Sequence, residues 1–309
     1  MKLYVNNILE ERFASRNTRG KKKHVIDLAL ETYLKENNVD DTSKLDPTFK
    51  DAASQNINIF IFAGHDTSSS TICYCFYQLS EHPAALARLR KECEDIFGTE
   101  IRKTGDMIKA DPYLLNRMRY GDAVIRETLR FYPPGNTVRA GAEEYVYLTS
   151  RTLHCLHTFS FFIANPETGE RYPTNGWLLW AHNLGHMVNP TIWGEDVNSF
   201  RPERWLVNEA QTTNPADRDA FMAFSKGPRN CIGQELAMLE TKMVLAMTIR
   251  QFDFEEAFAE VEKLKNDGSG YPSDLSGVQE QFGDKAYQIQ LGTAKPREGM
   301  PCRLSLVKT

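Results

Sequence analysis

The sequence has no apolar run of the roughly 18 residues that a bilayer-crossing helix needs. Its most apolar stretch, residues 153–164, is too short and carries His154 and His157. Residues 1–23 are polar and basic and lack the apolar core of a secretory signal. These absences favour a cytosol-facing location with no membrane span in this chain. Cysteine is scarce, with six at irregular spacing in 309 residues. That excludes a regular disulfide framework and points to mostly reduced thiols. Cys73 and Cys75 lie two apart in a helical pattern, where side chains do not face each other, so the pair is a poor zinc site. No CxxC pair, HExxH motif or glycine-rich phosphate loop occurs. A surplus of one charge is missing too. The 37 Lys and Arg against 41 Asp and Glu leave a formal net charge of -4, which excludes the basic footprint of a nucleic-acid binder.

What is there suits a soluble globular chain long enough to bury a sizeable core in one large domain or two ordinary ones. The first half reads as helical. Residues 25–36 form a short amphipathic helix and 47–79 one long one. Pro83 suits a first helical turn, and Gly98 closes the helix that follows. Residues 114–131 form a third helix, stopped by Pro133 and Pro134. Residues 137–149 and 177–181 have strand-like composition. Residues 234–250 are a strong helix, with Leu236, Leu239, Met243, Ala246 and Met247 on one face. Residues 265–281 read as a loop, and 286–291 with 302–307 as a terminal strand pair.

The chemistry concentrates in Phe224-Ser-Lys-Gly227-Pro-Arg229-Asn-Cys231-Ile-Gly233, which leads straight into that helix. Two glycines flank a cysteine, so the backbone can turn tightly and approach a flat object. The cysteine precedes a helix N-terminus, where the dipole and free N–H groups favour thiolate over thiol. Arg229 can grip a carboxylate with a forked pair. A thiolate, a cation for a carboxylate and room for a plane suit a haem with its propionates. Taken alone, a cysteine before a helix reads more readily as a free thiol packed in a glycine turn. Further back, Gly64 lies mid-helix, costing about 1 kcal/mol relative to alanine, and Asp66 and Thr67 set an acid beside a hydroxyl that could relay protons. The bland alternative is a tolerated glycine with polar neighbours facing water. Glu127 and Arg130 are three apart and can pair along one helix face.

The loop resembles the haem-binding loop of the cytochrome P450 family at Phe224, Gly227, Arg229, Cys231 and Gly233. Three further motifs stand in the family's order. Ala63-Gly64-His65-Asp66-Thr67-Ser68 is similar to its distal-helix motif, Glu127-Thr-Leu-Arg130 to its ExxR motif, and Pro202-Glu-Arg204-Trp205 to the segment whose arginine joins that pair. The resemblance implies a mainly helical cytochrome P450 fold with small β-sheets, truncated at its N-terminus. Residues 1–309 would form a single domain, with 142–164 as an insertion or mis-spliced piece. It implies haem b (iron protoporphyrin IX) on Cys231 as axial ligand, with Arg139 and Arg229 at the propionates. Ala63 and Gly64 would make room for dioxygen, and Asp66 and Thr67 would deliver protons. Glu127, Arg130 and Arg204 would lock the scaffold. The implied reaction inserts one atom of dioxygen into a small apolar organic substrate, with NADPH-derived electrons arriving through NADPH-cytochrome P450 reductase. Complete members are longer and anchored at the endoplasmic reticulum membrane. The alternative is therefore a truncated, inactive remnant with weak or no haem binding. Residues 286–304, with Lys295-Pro-Arg-Glu-Gly-Met-Pro, resemble members from filamentous-fungal secondary metabolism.

Overall fold

The computed structural model describes residues 2–15, 24–37, 44–140, 144–146, 158–160, 162–165, 167–206, 220–227, 230–265, 280–281 and 283–307. Among them helices dominate, and the strands pair two by two, all antiparallel. The fold is thus mainly α with small sheets. The chain divides into two compact units, Met1–Asp66 and Thr67–Thr309.

The first unit holds α1 (Lys2–Ala14), α2 (Val25–Asn37) and the start of the long α3 (Pro47–Glu81). Val5, Leu9 and Phe13, spaced four apart, place one buried stripe on α1. Arg12 pairs with Asp27 of α2 at 3.2 Å, and Tyr33 stacks on Phe49 at 4.1 Å between ring centroids.

The second unit takes up α3 at Thr67. It continues through α4 (Pro83–Phe97), α5 (Thr104–Ala110), α6 (Arg119–Phe131), α7 (Asn183–Met187), α8 (Pro190–Trp193), α9 (Gln234–Thr248) and α10 (Phe258–Lys265). Its strands are β1 (Thr137–Ala140), β2 (Glu144–Val146), β3 (Thr158–Ser160), β4 (Phe162–Ala164), β5 (Arg171–Pro173), β6 (Leu178–Ala181), β7 (Phe252–Glu256), β8 (Gln288–Leu291), β9 (Thr293–Pro296) and β10 (Cys302–Leu306). The core lies where α4, α6 and α9 meet, around Leu89, Phe97, Val124, Ile125, Leu129, Leu245 and Ile249.

Three expectations change. Helix α6 starts at Arg119, not 114, because the chain breaks at Met118 (φ -73°, ψ 72°) after a 3-10 segment over Pro112–Arg117. The break is stabilised from outside: the Glu92 carboxylate of α4 accepts the N–H groups of Tyr120 at 2.6 Å and Gly121 at 2.8 Å, capping a helix end. The terminal strands also pair differently. Gly292, at φ 84°, turns β8 back onto β9, and β10 pairs with β7, Leu306 opposite Phe252. The face of α9 carrying Leu236, Leu239, Met243 and Met247 is exposed, whereas Met238, Thr241, Leu245 and Ala246 are buried. That helix is apolar on two faces, and periodicity alone chose the other one. One helix had no counterpart in the sequence reading: residues 258–265, as α10. Most of 142–164 lies outside the described residues. So do 266–279.

Candidate functional site

Glu127 and Arg130 stand one turn apart on α6 with fully buried side chains. Arg130 donates Nε to Glu127 Oε2 (3.0 Å) and Nη2 to Oε1 (2.9 Å), a forked pair. Two buried charges are stable together only when their remaining donors and acceptors are also filled. Here they are. Arg130 reaches the Met187 carbonyl at 3.1 Å, and Glu127 Oε1 accepts from Arg204 Nε at 3.1 Å and the Arg201 N–H at 3.0 Å. Arg204 in turn donates to the carbonyls of Trp193 (3.3 Å) and Asp196 (3.2 Å). Glu127, Arg130 and Arg204 therefore form one buried network. Sequence reading missed two of its members. Trp205 donates its indole N–H to Glu127 Oε2 at 2.8 Å, and the Arg201 backbone takes a further lone pair. A tryptophan beside Arg204 in a loop was the available signal for the first; nothing in the sequence marks the second.

Aromatic rings carry this network towards the cysteine loop. Trp193 meets Trp205 at 5.7 Å, Trp205 meets Phe221 edge-on at 4.9 Å, and Phe221 meets Phe224 at 6.4 Å. Beyond Phe224 the loop closes on itself. The Cys231 N–H donates to Ser225 O, and Asn230 N–H to Gly227 O, each at 3.0 Å. Gly227 sits at φ 82°, where a side chain would be strained. Among the described residues no atom lies within 4 Å of where a Cβ would stand at Gly227 or Gly233. The backbone on both sides of the sulfur is thus open to approach. Cys231 is half-buried, just before α9, and Ile232 and Leu236 beside it are 81% and 69% exposed. Arg229 lies outside the described residues. Arg139 falls on β1, opposite Leu179 of β6.

Thr67, Thr71, Leu129, Phe224, Ala237 and Thr241 share the lining of a cavity of about 20 Å³. That is room for a single water. It brings a turn of α3, the rear of the cysteine loop and the first turns of α9 to one place. Ala63 and Gly64 are exposed and Asp66 half-buried, and all three belong to the first unit. The space beside Gly64 is open in the same sense as at Gly227.

Asp122 ties α6 to α9. Its Oδ1 lies 3.0 Å from Lys242 Nζ and its Oδ2 2.5 Å from Arg126 Nε. Burial pushes this carboxyl up, but the two cations outweigh it and hold the group below the ordinary carboxylate range. Lys242 is 12% exposed, an internal partner of Asp122. Other cysteines differ from Cys231 in setting. Burial pushes the thiols of Cys75 and Cys93 up to about 12. Among the described residues no helix is long and apolar enough to cross a membrane.

The cytochrome P450 family model matches residues 1–146 and 179–274. The chain is similar to a cytochrome P450 monooxygenase (polC) of Polytolypa hystricis, 39% identical over 99% of this chain and 51% of that protein. It is similar to another (acrF) of Aspergillus aculeatus, 32% identical over 96% of this chain and 58% of the relative. Cytochrome P450 4d1 of Drosophila melanogaster is 31% identical over 65% of this chain and 34% of its own length. The chain spans about half the length of the curated relatives it matches over nearly all of its own. With the family model covering residues in both units, the chain belongs to the cytochrome P450 family, and the two relatives it matches over nearly all of its own length are of fungal type.

Proposed function

We propose that this chain is the iron-holding part of a haem-thiolate monooxygenase, acting on a small apolar organic substrate. The observation that carries the reading is the setting of Cys231: a half-buried sulfur in a self-closed loop before α9, with open glycine backbone and uncovered apolar side chains beside it. That donor set fits an iron porphyrin, which needs one soft axial ligand and apolar surface for its face. The cofactor we assign is haem b.

Bound haem supplies the binding and activation of dioxygen; the chain's residues prepare the place for it. Cys231 would hold the iron through sulfur, from its place just before α9. Gly227 and Gly233 let the backbone approach the ring, Phe224 packs behind the loop, and Arg229 and Arg139 would meet the propionates. Ala63 and Gly64 leave space on α3. Asp66 would take a proton from water and pass it through the Thr67 hydroxyl into the cleft. Glu127, Arg130 and Arg204 keep the supporting wall in register. Electrons would come from NADPH through NADPH-cytochrome P450 reductase, on the cytosolic side of the endoplasmic reticulum.

Spectroscopy tests the ligand directly. The purified chain, loaded with haem, reduced and treated with carbon monoxide, should show the red-shifted Soret band of thiolate ligation, and Cys231→Ser should abolish it. Folded protein that binds iron through nitrogen, or not at all, would overturn the reading. Thr67→Ala should lower product formed per NADPH consumed; an unchanged yield would remove Thr67 from the proton path.

A further inference from the structure

Arg250 follows α9 directly and is 8% exposed. Its Nη1 donates to the Gly98 carbonyl at 2.5 Å and its Nη2 to the Thr104 hydroxyl at 2.7 Å. Both acceptors are neutral. Among the described residues its buried Nε has no hydrogen-bond partner. A guanidinium carries more N–H donors than these two oxygens can take. Glu94, which shares the lining of the same cleft, is engaged by Lys91 at 3.6 Å, and Asp253, three residues on in the sequence, by Arg90 at 2.6 Å. The ends of α4 and α9 offer partial negative charge from their carbonyls, which offsets only part of a full cation. A desolvated guanidinium without an ionic partner is unfavourable.

Arg250 also borders an open cleft of about 580 Å³, within the range of small-molecule sites. Leu86 and Ala87 of α4, with Pro83 and Ile101, give it apolar walls, and Arg90, Lys91 and Glu94 stand with Arg250 in its lining. Apolar walls with three cations to one carboxylate select for a molecule with an apolar body and an anionic head. We propose that this cleft binds a small organic carboxylate, its head against Arg250 and its body over Leu86, Ala87 and Ile101. The charge would complete the ionic pairing that the described residues leave open. The site uses neither Cys231 nor any residue assigned to oxygen chemistry, so it stands or falls apart from the monooxygenase reading.

Isothermal titration of the full chain with octanoate, and with octanamide as its neutral counterpart, tests the proposal. Octanoate should bind saturably at one site and at least about tenfold more tightly than octanamide. Arg250→Gln should weaken octanoate by a similar factor. Ala87→Trp, which leaves Arg250 in place and fills the cleft from an exposed position, should do the same while the melting curve stays that of the parent. If Arg250→Gln fails to fold, Ala87→Trp decides. Absence of saturable octanoate binding, equal binding of octanamide, or undiminished binding in Ala87→Trp would each overturn the proposal.

Discussion

Position decides what each thiol can do. Cys75 and Cys93 are buried, and their thiols, pushed up to about 12, stay protonated at neutral pH. Cys73 is raised by burial as well. Cys231 is half-buried in its loop and Cys302 is exposed on β10. Iodoacetamide at about pH 8 should therefore modify Cys231 and Cys302 first and reach Cys75 and Cys93 only after denaturation, as peptide mass spectrometry would reveal. Added haem should protect Cys231 and leave Cys302 unchanged. Equal labelling of Cys93 and Cys231 in native protein would contradict this ordering. At the same scale, Glu127→Ala leaves Arg130 buried without its carboxylate. Removing one partner of a buried pair costs about 3–5 kcal/mol, so the urea midpoint should fall by a corresponding amount. Arg204→Lys keeps the charge but loses the fork that spans Glu127 and two carbonyls, so it should also destabilise, though less.

Between elements, a carboxylate on one helix and a lysine on another make a pH-dependent fastener. Asp122 on α6 is held below its ordinary range by Arg126 and Lys242, against the opposing push of burial. A depressed carboxyl stabilises the fold above its unfolded value, about pH 4, and loses that contribution as pH falls through the folded value. Asp122→Asn should cost about 1 kcal/mol in urea unfolding near neutrality. The gap between variant and parent should narrow as pH falls below about 4; a gap that stays constant with pH would mean the charge is not what matters. This fastener was not legible in the sequence, where nothing near Asp122 names a lysine 120 residues on as its partner. What could be read was local: the length of α3, the glycine stop after α4, and the Glu127–Arg130 spacing. Pairings between distant segments escaped. Nothing near residue 302 names residues 252–256 as its partner, and nothing near 119 names Glu92 as its cap. The α1 helix was legible in principle, since Val5, Leu9 and Phe13 recur four apart, but the basic residues after it drew attention to charge instead.

At the scale of the whole molecule, the unusual feature is apolar surface left uncovered along one line of α9. Ile232, Leu236, Leu239, Met243 and Met247 recur every three or four residues and are 81%, 69%, 38%, 38% and 41% exposed. The opposite face of the same helix is buried against α5 and α6, so the stripe is not needed to hold the helix in place. Contiguous apolar patches on a soluble surface promote association or bind hydrophobic dyes. The chain should therefore enhance the fluorescence of an anilinonaphthalene sulfonate probe while its near-ultraviolet circular dichroism remains native. Leu236→Lys with Met243→Glu should reduce that fluorescence and shift sedimentation towards monomer. The change in unfolding free energy should stay within about 0.5 kcal/mol for each substitution, as for surface positions generally. A loss of several kcal/mol instead would mean that these side chains are packed in solution, and that the exposed line along α9 is not a surface at all.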